Sequence, residues 1–360
     1  MIKIAIMGAG LSGLSCALYL EKNNIHSIIY EKRSTVGDRF VNGEIFLSVL
    51  TKPVSDPLAY LSENYNIHLQ PVSNIKKLII SSEKKQAEIN GHLGFISLRG
   101  RIENSLEKQL ASQLKSKIIF NSTYSYEQLL RNYTHIVMAT GDAAYSEKIQ
   151  YFHRDVTVTL IGATVTGAFN PHTVRAWLNN VFAPDGYGYL IPFSEKEANI
   201  VIGFPETKNN KKKDKEKLWN KFYYQVQYEL RQKLPVTDKF EINNYIIGTS
   251  SHPRIGNTLF TGNCFGSIMP FLGFGQFAAI LTGIYAAQDL CGEDNYRQLV
   301  KHLKISYNNS LVLRNSLQKL NNSQLDLLVK IMDSNIGNKL FTSRHNFLKL
   351  ISYILNPLNL

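Results

Sequence analysis

Residues 2–13 read Ile2-Lys3-Ile4-Ala5-Ile6-Met7-Gly8-Ala9-Gly10-Leu11-Ser12-Gly13, an apolar run that meets three spaced glycines and then opens into a helical pattern. The spacing predicts a strand, a tight turn and a helix. In such a turn Gly8 permits the sharp reversal, Gly10 lets the backbone approach a pyrophosphate, and Gly13 lets the helix pack closely on the sheet. The helix start, from Leu11 and Ser12 onward, adds N–H donors and the positive end of a dipole for phosphate. A second apolar run, Ile25 to Tyr30, ends on Glu31, eighteen residues beyond Gly13. A carboxylate there accepts hydrogen bonds from ribose hydroxyls and disfavours a 2′-phosphate. The stretch therefore reads as a dinucleotide site for NAD or FAD rather than NADP.

Composition narrows the setting. The chain has 360 residues, 44% of them hydrophobic, enough for one large α/β domain with an inserted sheet or for two domains sharing a core. Cys16, Cys264 and Cys291 show no CxxC spacing, so neither a disulfide framework nor a metal site is expected. The N-terminal apolar residues belong to the first strand, not to a secretory signal. The apolar stretch Phe271 to Ala287 is interrupted by Gly273, Gly275, Gln276 and Gly283 and is too short to span a bilayer. These features predict a cytoplasmic protein, with peripheral membrane contact as the alternative. A net charge of +12 favours acidic partners such as anionic lipid or an acidic redox protein, and equally fits a surface merely solvated by lysines. No nucleic-acid-binding motif is found, and no nucleic acid is expected.

Farther along, the sequence beyond Gly37 is irregular, with Pro53 and Pro57 breaking a helix or loop region before Leu58 to Leu61, and strands are then expected at Ile75 to Ser81 and Ala87 to Leu98 around the polar turn 82–85. Ile102, Leu106, Leu110 and Leu114 mark an amphipathic helix, followed by a strand at Lys117 to Phe120. His135 to Met138 reads as a strand running into Ala139-Thr140-Gly141. Longer strands at 156–169, 173–178, 187–193 and 199–204 suggest an inserted antiparallel sheet. Within it, Gly162-Ala163-Thr164-Val165-Thr166-Gly167 imitates the first motif, but Thr164 replaces the middle glycine and Pro171 falls where a helix would run. It reads as a strand leading to a turn. Lys208 to Lys217 begins a charged helix that carries Leu218, Trp219, Phe222 and Tyr223.

A late strand, Thr258 to Thr261, ends at Gly262-Asn263. It is followed by Cys264-Phe265-Gly266-Ser267-Ile268-Met269-Pro270-Phe271-Leu272-Gly273-Phe274-Gly275 and a helix over Gln276 to Leu290. Taken with the first motif and Glu31-Lys32-Arg33-Ser34-Thr35-Val36-Gly37, this resembles the FAD-dependent geranylgeranyl reductase family, within the aromatic-hydroxylase-like flavoproteins. The late segment looks like that family's Gly-Asp-x-x-Gly-x-x-x-Pro-x-x-Gly-x-Gly motif, with Asn263 in place of the aspartate. Tyr187-Gly188-Tyr189-Leu190-Ile191-Pro192 resembles its Tyr-x-Trp-x-x-Pro signature, with Tyr189 in place of Trp. Arg99 matches a family arginine near the flavin. The family's cysteine after the second strand is absent, since residues 37–60 contain none, and Thr140-Gly141 stands where hydroxylases carry Asp-Gly.

The resemblance covers residues 1 to about 290. It implies a Rossmann-like α/β FAD-binding domain (1–75, 99–150 and 250–290), an inserted antiparallel β-sheet substrate domain (76–98 and 151–249) and a C-terminal helical region (291–360). It assigns FAD to Gly8, Gly10, Leu11, Ser12, Gly13, Glu31, Lys32, Arg39, Arg99, Thr140, Gly141, Gly262, Asn263, Pro270, Gly273 and Gly275, and the substrate pocket to Tyr187, Tyr189 and Phe271. The implied activity is reduction of carbon–carbon double bonds in a hydrophobic, isoprenoid-type substrate. Catalytic residues are not assigned. A flavin-dependent monooxygenase or halogenase, and a membrane-associated flavin-binding partner protein, are the alternatives. An acidic ferredoxin is the expected electron donor. The apolar tail from Phe347 to Leu360 is expected to pack over the pocket or touch lipid.

Overall fold

The computed structural model describes residues 2–343 and 345–355. Its elements run β1 (Ile4–Met7), α1 (Leu11–Lys22), β2 (Ser27–Tyr30), β3 (Asn42–Leu47), α2 (Pro57–Tyr65), β4 (Ser73–Ser81), β5 (Gln86–Arg99), α3 (Leu106–Ser112), β6 (Ile118–Ile119), α4 (Tyr126–Asn132), β7 (His135–Met138), α5 (Ala143–Ile149) and β8 (Phe152–Thr166). They continue through β9 (Thr173–Trp177), β10 (Tyr187–Pro192), β11 (Glu197–Pro205), α6 (Lys215–Leu230), β12 (Val236–Ser250), β13 (Arg254–Ile255), β14 (Thr258–Phe260), α7 (Gln276–Leu290), α8 (Tyr296–Leu299), α9 (Lys301–Leu317), α10 (Asn322–Met332), α11 (Asn335–Thr342) and α12 (Phe347–Leu355).

Two sheets result. The first has the order β13-β14-β7-β1-β2-β6 and is parallel except for the short β13 edge. The four residues of β1 are all buried, as expected for a central parallel strand covered on both faces. Behind it, α1 packs against α7, and Ser15 Oγ donates to the Ile280 carbonyl at 3.0 Å across that contact. Leu14, Leu20, Ile280 and Ile284 are fully buried in the core that α1 and α7 share with the first sheet. Each such side chain contributes about 1.5–3 kcal/mol.

The second sheet has the order β12-β8-β11-β10-β9-β4-β5-β3, antiparallel except for the β4–β9 pair. It curls against α6 on one part, where Trp177, Phe182 and Phe222 interlock. α10 packs against its other end, on β5. The imitation motif 162–167 is a strand and loop exit, as its missing glycine and its proline imply. The charged stretch 208–217 becomes one short turn of 3-10 helix and then α6, capped by Asp214, whose carboxylate accepts from Lys217 N–H.

Three local expectations need correction, and one strand has no counterpart among them. Pro57 does not break a helix but starts one: Asp56 Oδ1 accepts from Leu58 and Ala59 N–H at 3.0 and 2.9 Å, and proline suits the first helical position. The amphipathic pattern 102–114 yields a helix only over 106–112, because residues 102–104 form a turn leading to the N-cap Ser105. Residues 42–47, read as irregular, are β3, the edge of the second sheet beside β5, and they lie inside the span 1–75 assigned to the nucleotide part. Residues 236–250, unread, form the other edge, β12. Its Asn243-Asn244 pair looks like a turn in sequence but is a bulge in the β8 pairing between Ile242 and Tyr245, with Asn244 left-handed at φ 54°. No helix among the described residues is long and apolar enough to cross a membrane. The last five residues of the predicted apolar tail, 356–360, lie outside the described residues.

Candidate functional site

At the C-terminal end of β1 the chain turns where its sequence predicts, and the three glycines have different reasons. Gly8 adopts φ +110°, and a Cβ on it would lie 2.3 Å from the Ala139 carbonyl oxygen. A Cβ on Gly13 would lie 2.0 Å from the Gly8 carbonyl oxygen. Both positions are required by the turn itself. Gly10 is not: its backbone is extended, with φ −87° and ψ −174°, and a Cβ there would meet nothing within 4 Å. Gly10 also caps α1 with no side-chain hydrogen bond, so no capping side chain satisfies the first N–H groups of that helix.

Glu31 braces this loop. Its Oε2 accepts from Ala9 N–H at 2.7 Å and its Oε1 from Arg33 N–H at 2.9 Å. The carboxylate is thereby held just past the end of β2 with lone pairs to spare. Lys32, next to it, is exposed.

In front of the loop lies a cavity of about 190 Å³ between the two sheets. Fourteen of the predicted residues line it: Gly10, Leu11, Ser12, Arg39, Arg99, Gly141, Gly262, Asn263, Pro270, Gly273, Gly275, Tyr187, Tyr189 and Phe271. Gly8, Gly13, Glu31, Lys32 and Thr140 do not. Thr140 turns inward, its Oγ1 lying 3.1 Å from Cys264 Sγ.

The polar residues of the cavity are unequally satisfied. Asn263 is committed within the protein: its Nδ2 donates to the Gly141 carbonyl at 2.9 Å and to the Tyr245 hydroxyl at 2.8 Å, and its Oδ1 accepts from Ser267 Oγ at 3.1 Å. One Oδ1 lone pair remains for a ribityl hydroxyl. Arg99 is paired with Glu107 at 2.9 Å and Glu44 at 3.6 Å, whereas Glu103, the acid nearest it in sequence, pairs with Lys108 instead. Burial alone would lower the Arg99 pKa, but the carboxylates of Glu107 and then Glu44 outweigh it and hold the guanidinium charged. Arg39 lies over the Phe40 ring at 4.5 Å and keeps a buried Nε without a partner. Burial first, and the Arg99 charge second, push its pKa down.

On the far side stand Tyr187 and Tyr189, their ring centroids 6.0 Å apart. The Tyr187 hydroxyl donates to the Leu272 carbonyl, and the Tyr189 hydroxyl donates to Asn42 Oδ1 at 3.3 Å. Burial raises the pKa of both phenols above the ordinary range. Both hold their protons at neutral pH.

The model of an NAD(P)-binding Rossmann-like domain matches residues 6–44. Over nearly the whole chain, the structure superposes on a geranylgeranyl bacteriochlorophyll reductase-like protein from Thermoplasma acidophilum. That match has a TM-score of 0.74 at 16% identity and covers 98% of this chain and 96% of the other. This is a flavoprotein fold. A flavoprotein/dehydrogenase from Cytophaga hutchinsonii matches with TM-score 0.66 at 14% identity, covering 99% of each chain. A flavin-dependent brominase matches with TM-score 0.66 at 12% identity, covering 99% of this chain and 97% of the other.

The residues of this flavoprotein fold suit a dinucleotide cofactor on structural grounds. Internal packing does not explain the glycine at position 10, while a pyrophosphate seated on the start of α1 does. The start of α7 also lines the cavity: its N-cap Gly275 provides no side-chain cap, and the Gly275 N–H donates to Gln276 Oε1 at 3.1 Å. Several lining residues are invisible to motif reading. Tyr245 comes from the bulged β12, Asn42 and Glu44 from β3, Phe240 stacks on Phe40 at 4.1 Å, and Arg314 arrives from α9. Each lies on an element whose sequence carries no glycine signature. The Glu44 and Arg99 pairing across β3 and β5 could have been sought as opposite charges only once that register was known.

Proposed function

We propose that the protein is an FAD-dependent oxidoreductase that saturates carbon–carbon double bonds of a hydrophobic, isoprenoid-type substrate. The observation that carries this reading is one cavity bounded on one side by the open Gly10 loop and on the other by Tyr187, Tyr189 and Phe271. In this reading the Gly10 loop, Glu31, Arg39, Arg99 and the Pro270–Gly275 turn hold the cofactor. The parallel sheet with 1–75, 99–150 and 250–290 is the nucleotide part, apart from β3. That strand goes with 76–98 and 151–249 to the substrate sheet, and the described residues of 291–360 form the helical region.

Bound FAD supplies the two-electron reducing equivalents. The chain contributes alignment and dryness. Tyr187 and Tyr189 present ring faces to the substrate while their hydroxyls are anchored on Leu272 and Asn42, so the wall keeps its shape without admitting water. The start of α7 would offer backbone N–H donors to a bound flavin, which gains negative charge on reduction. Leu350, Tyr353 and Ile354 of α12 are all exposed and lie on one face by their spacing, which supports delivery of an apolar substrate from a lipid surface. The basic balance supports an acidic electron donor.

The test is to reduce the purified flavoprotein anaerobically, incubate it with a prenyl-lipid extract, and analyse products by mass spectrometry beside an aerated sample. Gain of two hydrogens per double bond without oxygen is expected. A product that forms only in air and carries added oxygen, or halogen when halide is supplied, would replace this reading with the oxygenase or halogenase one, which the similarity to the brominase favours. Tight flavin with no turnover would leave the binding-partner reading.

A further inference from the structure

Helix α9 brings into the cavity a charge that nothing in the nucleotide site uses. Arg314 is only 5% exposed, lines the same cavity as Gly10 and Tyr187, and carries a buried Nε and Nη2 with no hydrogen-bond partner. Its position is enforced rather than incidental. Phe271 N–H donates to Ser310 Oγ at 2.9 Å, and Ser310 and Arg314, four residues apart, share one face of α9. The latch therefore turns Arg314 toward the 270–274 turn and Tyr187.

The other arginines of the cavity are better compensated. Arg99 has two carboxylates, and Arg39 lies over the Phe40 ring with one buried nitrogen, Nε, left without a partner. Arg314 has neither a carboxylate within reach nor such a ring contact, and two of its nitrogens are bare. Asp185 acts on it through space, but the Asp185 carboxylate accepts from Asn210 Nδ2 at 3.0 Å, and no acid reaches the two orphaned donors. A guanidinium cannot escape burial by losing its proton at physiological pH, so it keeps a charge and a planar fork of donors in a dry place. Such a fork matches a carboxylate or phosphate. In the reading above the cofactor's phosphates have their own cradle at Gly10, in the turn after β1 of the other sheet, whereas the groups that act on Arg314, Tyr187 and Asp185, lie in or beside β10.

We propose that Arg314 receives an oxyanion carried by the substrate, a carboxylate or a phosphate, on the Tyr187 side of the cavity. The inference rests on the hydrophobic-substrate part of the reading above and makes that substrate amphiphilic, an apolar chain with an anionic head. A neutral analogue would leave the buried fork unpaired, so rejection of uncharged head groups is built into the site.

The experiment titrates the FAD-loaded protein with dodecanoate and dodecyl phosphate, each below its micelle concentration, and with dodecanol below its solubility limit, and reads affinity by calorimetry. None of the three contains an alkene, so the result stands apart from whether the protein reduces double bonds. At least one of the anions is expected to bind about 10- to 100-fold more tightly than the alcohol, the range of a charge-assisted pair. The stronger of the two identifies carboxylate or phosphate as the head group. Arg314→Met is expected to bring the preference to near unity, to retain FAD at full stoichiometry, and to melt at the same or a higher temperature, because it removes an unpaired buried charge. Arg314→Lys, which keeps the charge but not the fork, is expected to fall between.

Equal binding of alcohol and anions, no binding of any probe, or a preference that survives Arg314→Met overturns the proposal. Loss of FAD from Arg314→Met reassigns the arginine to the cofactor and overturns it as well. Lowered melting with unchanged preference assigns the residue to the fold.

Discussion

The glycine loop at 8–13 and the wall formed by Tyr187, Tyr189, Tyr245 and Arg314 bound one cavity from opposite sides, and they are built in opposite ways. The loop is a single contiguous stretch that, in the proposed reading, recognises through backbone N–H groups and through an absence of side chain. The wall is assembled from β10, β12 and α9, spread over more than a hundred positions of the chain, and in the proposed reading it recognises through side chains, the three tyrosines among them held by bonds to still other segments. A dinucleotide phosphate is the same in every enzyme, so a local backbone device suffices for it. A substrate is particular, and its site draws on whatever the tertiary fold brings within reach.

That contrast breaks most visibly at neighbouring glycines. Gly13→Val is expected to prevent folding or to cost on the order of 4 kcal/mol, because its Cβ would sit 2.0 Å from the Gly8 carbonyl, and thermal melting of the soluble fraction measures it. Gly10→Val is expected to leave the melting of the cofactor-free protein nearly unchanged but to weaken FAD by about 100-fold or more, roughly 3 kcal/mol, since its side chain enters only the space reserved for the ligand. Flavin titration reads the second effect, and a Gly10→Val protein that keeps its FAD would refute the assignment of the loop.

Glu31→Ala is expected to weaken FAD by about 10- to 30-fold, through loss of the ribose contact and of the brace on Ala9 N–H. On the other wall, Ser310→Ala removes the acceptor for Phe271 N–H and is expected to cost about 1–2 kcal/mol in denaturant unfolding, with FAD affinity unchanged and dodecanoate or dodecyl phosphate binding weakened. A fall in FAD affinity equal to the fall in anion affinity would show that the two walls are coupled rather than separate. The baseline for both is the exposed pair Lys77–Glu88 on the β4–β5 hairpin, where Lys77→Ala is expected to change stability by about 0.5 kcal/mol or less and to leave both ligands alone.

How far each region could be read in advance follows from its construction. The first strand, turn and helix, the strand at 135–138 and the helix after Gly275 emerge where their patterns place them, because apolar runs and glycines act within a few residues. The edge strands β3 and β12 stay hidden for a physical reason. β12 is largely solvated over its first half, so its pattern is diluted, and its Asn243-Asn244 bulge carries the composition of a turn, whereas β3 is mostly buried but short and opens on Asn42-Gly43, a pair that reads as a turn. Pro57 shows a related ambiguity, since proline ends one helix and begins another with equal ease and only the Asp56 cap distinguishes the cases. Asn263 was legible as a residue at the cavity but not as one already bonded to Tyr245, a partner from the unread strand.

The amino-acid order alone set the nucleotide half of this protein: three glycines at fixed spacing, an acid eighteen residues on, and a late glycine turn that opens a helix, each acting through local backbone geometry. Which arginine would be paired and which left bare could not be read there. Arg99 finds Glu44 and Glu107, Arg39 finds Phe40, and Arg314 finds no partner for two of its nitrogens, because the packing of α9 and β3 against the sheets determines the distance between charges that are remote along the chain. Electrostatic pairing depends on that distance and on burial, and both exist only once the chain has folded.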